Sequence, residues 1–253
     1  MKPLEVFLDE GALDGDARFP SAGAVIVGDA ADASEQIEEL MLELSLQPDF
    51  RLEPKADKLE RVGFHHVEDN VLAKSRFKSL LPRLDFDWLS SANLHVGDED
   101  PYDLLPVQFE WVVRRTLQKY RGRNLHFIFE QNQRMQAQFA GIVEAAAAAT
   151  GTTSDSLSTS IGTKNDRALA IADYCIAIST QAIKVWMEQC CDNLRLGKDY
   201  RYRDFAAIEP SCSTLFAADL RRSVSNRAAR MIDHTYFDVS GLHSASCTKA
   251  AST

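Results

Sequence analysis

The chain has 253 residues, 45% of them hydrophobic, which is enough for one large domain or two small ones. Its formal net charge of −9 excludes a surface that coats nucleic acid indiscriminately, because such binding depends on Lys and Arg side chains that neutralise phosphates. Five cysteines without C-x-x-C spacing, and the lack of a signal-peptide pattern or a membrane-length apolar run, favour a cytoplasmic protein with no membrane partner.

The first predicted element is a β-strand at residues 4–10, which ends at the adjacent carboxylates of Asp9 and Glu10. A buried first strand that places acids at its C-terminal end can hold a metal ion, whereas two acids before Gly11 are also typical of a solvated turn. Side chains alternate between the faces of a strand, so Asp9 and Glu10 point in opposite directions unless the strand ends or twists there. We expect Asp9 to be the direct ligand.

The next elements are a buried strand at residues 22–28 and a helix that ends before Pro48. Asp32 and Glu35 have the spacing of a capping box, which predicts the start of this helix. The charged segment 48–61 is weakly patterned, and we predict that it forms a loop.

A polar segment that contains His65, His66 and Asp69 precedes another predicted helix. Histidines and an acid at a helix start can ligate a metal ion or contact phosphate, and they are also common as caps and loop groups. The residues alone leave both interpretations open. A strand is predicted next, at residues 85–94.

An amphipathic helix at residues 104–120 is followed by an apolar strand at residues 125–130. Like the first strand, this one ends at a carboxylate, Glu130. We interpret the basic residues near the end of this helix as a solvated face. A Gln- and Ala-rich helix at residues 132–149 and a strand at residues 157–161 follow.

The first half of a late predicted helix, residues 168–178, is apolar nearly all round and carries Asp173. An ionised Asp173 in such a helix is costly unless a cation, a hydrogen-bond network or solvent at a cleft meets it. The alternative is an Asp at the exposed edge of the helix.

We predict an α/β domain at residues 1–195 and a C-terminal extension packed on it at residues 196–253. Within the extension, residues 221–231 are predicted to form a short basic helix, and residues 244–253 a frayed tail.

Alternating strands and helices predict an α/β fold. Open α/β sheets bind ligands beyond the carboxyl ends of their strands, so Asp9, Glu10 and Glu130 can share one edge. Carboxylates gathered there repel one another unless divalent cations lie between them, and an oxygen-only ligand set suits Mg²⁺ or Mn²⁺. Two such ions can activate water for phosphodiester cleavage.

Four stretches together resemble a known family, the domain-of-unknown-function family numbered 3800. They are Phe7–Glu10, Gly63–Asp69, the strand that ends at Glu130, and Leu169–Asp173. They occur in the family's order. The resemblance implies a ribonuclease H-like fold, a mixed sheet flanked by helices, with a D-E motif on the first strand and a late Q-x-x-D motif. In this chain Ala170 stands at the position of the family's glutamine.

The resemblance implies a metal-dependent, nuclease-like site with Asp9, Glu10 and Asp173 in the motif positions and Glu130 at the end of the middle strand. Our leading hypothesis is a metal-dependent nuclease or phosphodiesterase that holds Mg²⁺ or Mn²⁺ by Asp9, Glu130 and Asp173. Glu10 is a further catalytic group in this hypothesis. The groups expected to contact the substrate, a nucleic acid or nucleotide, are His65, His66 and Asp69.

Two alternatives compete with this hypothesis. A binding or regulatory module that keeps the fold without catalysis is favoured by Ala170, which has no side-chain donor or acceptor. A structural α/β protein with scattered surface acids predicts that Asp9, Glu130 and Asp173 lie more than about 10 Å apart, because the ions of a two-metal site are only about 4 Å apart.

Overall fold

A mixed β-sheet forms the centre of the computed structural model, which describes residues 2–11, 20–93, 100–163, 165–188, 200–218, 229–232 and 235–238. The strands in these ranges are β1 (Leu4–Gly11), β2 (Ser21–Val27), β3 (Phe86–Asn93), β4 (Leu125–Glu130), β5 (Leu157–Gly162), β6 (Cys212–Ala218), β7 (Ala229–Ile232) and β8 (Thr235–Asp238). They lie in the order β5-β4-β1-β2-β3-β6-β8-β7. Strand β2 runs antiparallel to β1 and β3, β7 runs antiparallel to β8, and the other described pairs are parallel.

Helices cover both faces of this sheet. They are α1 (Ala30–Leu46), α2 (Pro48–Leu52), α3 (Ala56–Val62), α4 (Val71–Leu80), α5 (Pro101–Lys119), α6 (Phe139–Thr150), α7 (Leu169–Glu188) and α8 (Tyr200–Ile208). Helices α1, α4 and α7 contribute to the core on one face, and α5 and α6 to the core on the other. The predicted fold class, a ribonuclease H-like mixed sheet flanked by helices, is confirmed by this arrangement. None of the described helices is long and apolar enough to cross a membrane.

Strand β1 lies between these two cores. Phe7 packs into the core that includes α7, while Val6 and Leu8 pack into the core that includes α5 and α6. This alternation matches the period of two expected for a strand. It fixes the directions of the next residues as well, because Asp9 follows the side of Phe7 and Glu10 follows the side of Val6 and Leu8.

The prediction of a loop at residues 48–61 is wrong, because α2 and α3 occupy most of this segment. Pro48 is the first residue of α2. A backbone N–H at this position has no acceptor within the helix, so proline loses no hydrogen bond there. Each short helix is anchored by one large apolar side chain, Phe50 in α2 and Leu59 in α3, and both are buried. Helices this short carry too few apolar residues for helical periodicity to be visible in the sequence.

Two predicted helix starts are also wrong. Helix α1 is capped by Asp29, whose carboxylate accepts hydrogen bonds from two backbone N–H groups of the first turn, and not by Asp32. Helix α6 begins at Phe139 rather than near Asn132. The side chain of Asn132 accepts hydrogen bonds from the backbone N–H groups of Arg134 and Met135, which gives a turn in place of the first helical turns.

The C-terminal part differs from the prediction at one point. Residues 229–231 were expected at the end of a basic helix, but they belong to β7, while residues 221–228 and the predicted tail lie outside the described residues. Strand β6, which belongs to the predicted extension, pairs with β3 in the main sheet. The predicted boundary after residue 195 stays a prediction.

Helix α7 approaches the sheet closely over two glycines. A Cβ atom at Gly11 would lie 2.5 Å from Cγ2 of Ile176, and one at Gly23 would lie 2.7 Å from Cγ1 of the same residue. Gly23 is also the partner of Asp9 in the pairing of β1 with β2. The two glycines therefore allow α7 to lie against the end of β1 at the level of Asp9.

We expect Gly23→Ala to lower the free energy of unfolding by about 1–2 kcal/mol, because overpacking against Ile176 outweighs the smaller conformational entropy of alanine. In an Ile176→Ala background the same substitution is expected to cost clearly less, since the contacted atoms are gone. Urea denaturation of the four proteins in this double-mutant cycle measures both values.

Gly141→Ala is the matched control, because a Cβ there meets no atom within 4 Å in helix α6. It should stabilise the protein by about 0.5–1 kcal/mol. Equal costs of Gly23→Ala in the two backgrounds would contradict the close approach of α7.

Candidate carboxylate site

Asp9 and Glu130 meet at the carboxyl ends of β1 and β4. The two strands are parallel and pair Leu8 with Phe129, so the next residues in this register are Asp9 and Glu130. Asp9 is only 4% exposed. Its carboxyl group lies within hydrogen-bonding reach of that of Glu130, and this neighbour raises the pKa of Asp9. Two strand-terminal acids that are far apart in the sequence are thus in direct contact.

Asp173 reaches the same place from α7. Its Oδ2 accepts a hydrogen bond of 2.6 Å from the backbone N–H of His66, and it lies 4.0 Å from Nδ1 of His65. The Asp173 side chain is 15% exposed, and its charge acts on Asp9. Asp173 therefore takes part in a hydrogen-bond network at a partly buried position. It does not lie at a fully solvated edge of the helix.

Glu10 lies on the opposite face of β1 from Asp9. Its Oε1 accepts a hydrogen bond of 2.5 Å from the side-chain amide of Asn132. The other carboxylate oxygen, Oε2, is buried without a hydrogen-bond partner among the described residues. The backbone N–H of Glu10 also bonds to the carboxylate of Asp9 at 2.7 Å, so the two acids are linked although their side chains diverge.

Burial and mutual repulsion favour the protonated forms of Asp9 and Glu10 by raising their pKa values. Burial raises the pKa of Asp9 well above its ordinary value, and the charges of Glu130 and Asp173 raise it further. Burial also raises the pKa of Glu10 from 4.5 to about 7, against the opposite effect of the hydrogen bond from Asn132. A divalent cation would relieve the same repulsion without protons, so proton and cation compete for this position.

The loop between α3 and α4 holds the Asp173 side chain in place. Asp69 accepts hydrogen bonds from the backbone N–H of His65, at 2.9 Å, and from the hydroxyl of Tyr174, at 2.5 Å. Burial lowers the pKa of His66 to about 4, so its ring is neutral, and this ring meets Tyr174 edge-on. Asp69 and Tyr174 thus fix the loop whose His66 N–H holds Asp173.

A small cavity of about 20 Å³ opens beside the acids. Six of its described lining residues matter for the chemistry: Phe64, His65, Glu130, Arg167, Ala170 and Asp173. Of the three residues predicted to contact the substrate, His65 lines this cavity, whereas His66 and Asp69 do not. Ala170, which the predicted resemblance places at the family's glutamine position, forms part of the cavity wall.

The donor chemistry of the cluster fits a hard divalent cation, because Asp9, Glu130 and Asp173 offer carboxylate oxygens only. No group of three or more His, Cys, Asp or Glu side chains within the described ranges is already spaced around one ion position. The carboxylates would have to turn toward a common point to hold an ion.

Three contacts were not predicted from the sequence: Asn132 on Glu10, Tyr174 on Asp69, and the placement of Arg167 at the cavity. Asn132 carried a usable signal, since it is a polar residue two positions after a strand-terminal acid. Tyr174 and Arg167 carried none, because their roles depend on the packing of α7 against distant segments.

Comparison with solved structures gives a remote likeness. No protein-family model and no curated protein sequence matches the chain. A chain in the structure of the PCNA:RNase HII complex from Archaeoglobus fulgidus is similar over 80% of this chain and 86% of its own length, with a TM-score of 0.39 and 10% sequence identity. A likeness at this level carries no argument about activity. The resemblance to the numbered family stays a prediction.

Raised pKa values at this site predict how stability depends on pH. The folded state binds more protons than the unfolded state above the ordinary pKa values of these acids, so the stability they contribute is complete at low pH and is lost as the pH rises. This stability is lost as the pH rises through the pKa of each acid in the folded state, which is about 6 for Asp69 and about 7 for Glu10. Without divalent cations, Glu10→Gln should flatten the fall in unfolding free energy toward neutral pH, measured by urea denaturation.

The control for this experiment is Asp155→Asn, which removes an exposed carboxylate outside the cluster and should leave the slope unchanged. A slope in Glu10→Gln equal to that of the wild type would show that Glu10 is not a buried, protonated acid.

Proposed function

We propose that the protein is a metal-dependent nuclease or phosphodiesterase that holds Mg²⁺ or Mn²⁺ by Asp9, Glu130 and Asp173. The observation that supports this most directly is the meeting of these acids, from β1, β4 and α7, in a cluster where burial and mutual repulsion raise the pKa of Asp9. Buried like charges are costly to keep for structural purposes alone. Groups with strongly perturbed pKa values are concentrated at functional sites.

A bound divalent cation in such a site lowers the pKa of water and stabilises the leaving oxygen of a phosphodiester. The chain's own groups position the ligands. The His66 N–H orients Asp173, and Asn132 orients Glu10. Outer contacts of this kind commonly change metal affinity or activity by about 10- to 100-fold when they are removed.

We assign the predicted substrate-binding residues two different tasks. His65 lines the cavity, and in this proposal it contacts the scissile phosphate or the attacking water. His66 and Asp69 act indirectly, because they hold the loop that orients Asp173. The proposed substrate is a nucleic acid or a nucleotide. Because the chain as a whole is acidic, its net charge does not attract phosphates, and local contacts at the site must do so.

A second candidate is a binding or regulatory module with the same fold and no catalysis. Two observations favour it: Ala170 offers no polar group at the cavity wall, and the described carboxylates are not already spaced around an ion. Titration calorimetry with Mn²⁺ separates the candidates, because a protein that does not bind the cation cannot run metal-dependent hydrolysis.

Cleavage of labelled single-stranded, duplex and hybrid substrates with Mn²⁺ tests the proposal. We expect Asp9→Asn and Asp173→Asn each to reduce the rate by at least about 100-fold, since loss of a ligand should cost no less than loss of an outer contact. Both substitutions keep the side-chain shape and remove one ligand charge.

Asp155→Asn serves as the matched control, because it makes the same chemical change at an exposed position away from the cluster. Circular dichroism verifies that all variants are folded. The same cleavage rate in the wild type and in the double variant Asp9→Asn, Asp173→Asn would refute the proposal.

A further inference from the structure

Arg167 brings a positive charge to the cavity beside the acidic cluster. Among the described residues that line this cavity, it is the one Lys or Arg, and Glu130 and Asp173 line the same space. A substrate phosphate that approaches these acids meets their negative charge. The guanidinium is placed to offset that repulsion.

The backbone of Arg167 is held firmly relative to Glu130. Asp166 accepts a hydrogen bond of 2.6 Å from the backbone N–H of Thr163, and the N–H of Ala170 bonds to the carbonyl of Arg167 at 3.1 Å. This turn follows Gly162, which pairs with Glu130 in the sheet. The position of Arg167 is therefore set by the same strands that set the position of the acids.

The side chain of Arg167 has a partner that it can exchange. Its Nε lies 3.4 Å from Oε1 of Glu38 on α1, and the Glu38 side chain is 63% exposed, compared with 17% for Arg167. An ion pair with one solvated member contributes little stability. A phosphate accepts paired, charge-assisted hydrogen bonds from guanidinium, which makes it the stronger partner.

We propose that Arg167 binds a backbone phosphate of the substrate next to the one held at the carboxylates, and that Glu38 occupies the guanidinium until the substrate displaces it. This inference rests on the proposed function. The cavity of about 20 Å³ has room for about one water-sized group, so a single phosphate oxygen can enter it, whereas a nucleobase or a whole phosphate cannot. Arg167 therefore contacts the sugar-phosphate backbone, and this contact carries no sequence preference.

The proposal predicts opposite effects for the two members of the ion pair. Arg167→Gln should raise KM at least about tenfold with a smaller change in kcat, because a charge-assisted contact to bound substrate is lost. Glu38→Gln should lower KM by about two- to fivefold, because it removes a weak competitor. In an Arg167→Gln background, Glu38→Gln should have no effect on KM, since the competition no longer exists.

The matched control is Arg61→Gln, which removes the same charge from α3, where Arg61 pairs with the exposed Asp57. This variant should bind and cleave as the wild type does. An equal rise of KM in Arg61→Gln and Arg167→Gln would show that the loss of one positive charge, at either position, explains the rise, and it would overturn the proposal.

Binding is measured separately, so that failure of the proposal and failure of the proposed function can be told apart. The probe is a short fluorescein-labelled single-stranded DNA, followed by fluorescence anisotropy without divalent cations. The same order of affinities, Glu38→Gln tighter and Arg167→Gln weaker than the wild type, supports the proposal even if no cleavage is found. Cleavage by the wild type with an unchanged KM in both variants overturns it and leaves the proposed function standing. No binding and no cleavage by the wild type overturns both.

Discussion

Repulsion among buried carboxylates at the carboxyl ends of β1 and β4 is the constraint on which the site depends. Burial and the neighbouring charges of Glu130 and Asp173 raise the pKa of Asp9 well above its ordinary value. A protein can remove this repulsion by separating the acids, by protonating them or by binding a cation. The sheet register and the packing of α7 prevent separation, so a choice between proton and cation remains.

The close packing of α7 is what brings the third acid to the strands. Gly11 and Gly23 leave space for Ile176, which lies one helical turn after Asp173. The loop from His65 to Asp69 then fixes the direction of Asp173 through a backbone N–H. A side chain at either glycine would move α7, and with it the carboxylate, so site geometry and fold stability are coupled here.

Much of the fold and part of the site followed from periodicity in the sequence. The alternation in β1 predicted that Asp9 and Glu10 would face different sides, and the strand ending at Glu130 was expected at the same sheet edge as Asp9. Residues 48–61 were misjudged because two short helices with one apolar anchor each produce no visible period. Asn132, two positions after a strand-terminal acid, gave a signal for its contact with Glu10, whereas the pair of Arg167 with Glu38 gave none, because it depends on how distant segments pack together.

The central claim is that a divalent cation takes the place of protons on this cluster. Titration calorimetry with Mn²⁺ near neutral pH, repeated in buffers of different ionisation enthalpy, measures how many protons leave when the ion binds. We expect the wild type to bind Mn²⁺ with net proton release, and Asp9→Asn to bind it more weakly with less release. Absence of Mn²⁺ binding, or equal proton release in the two proteins, would contradict it.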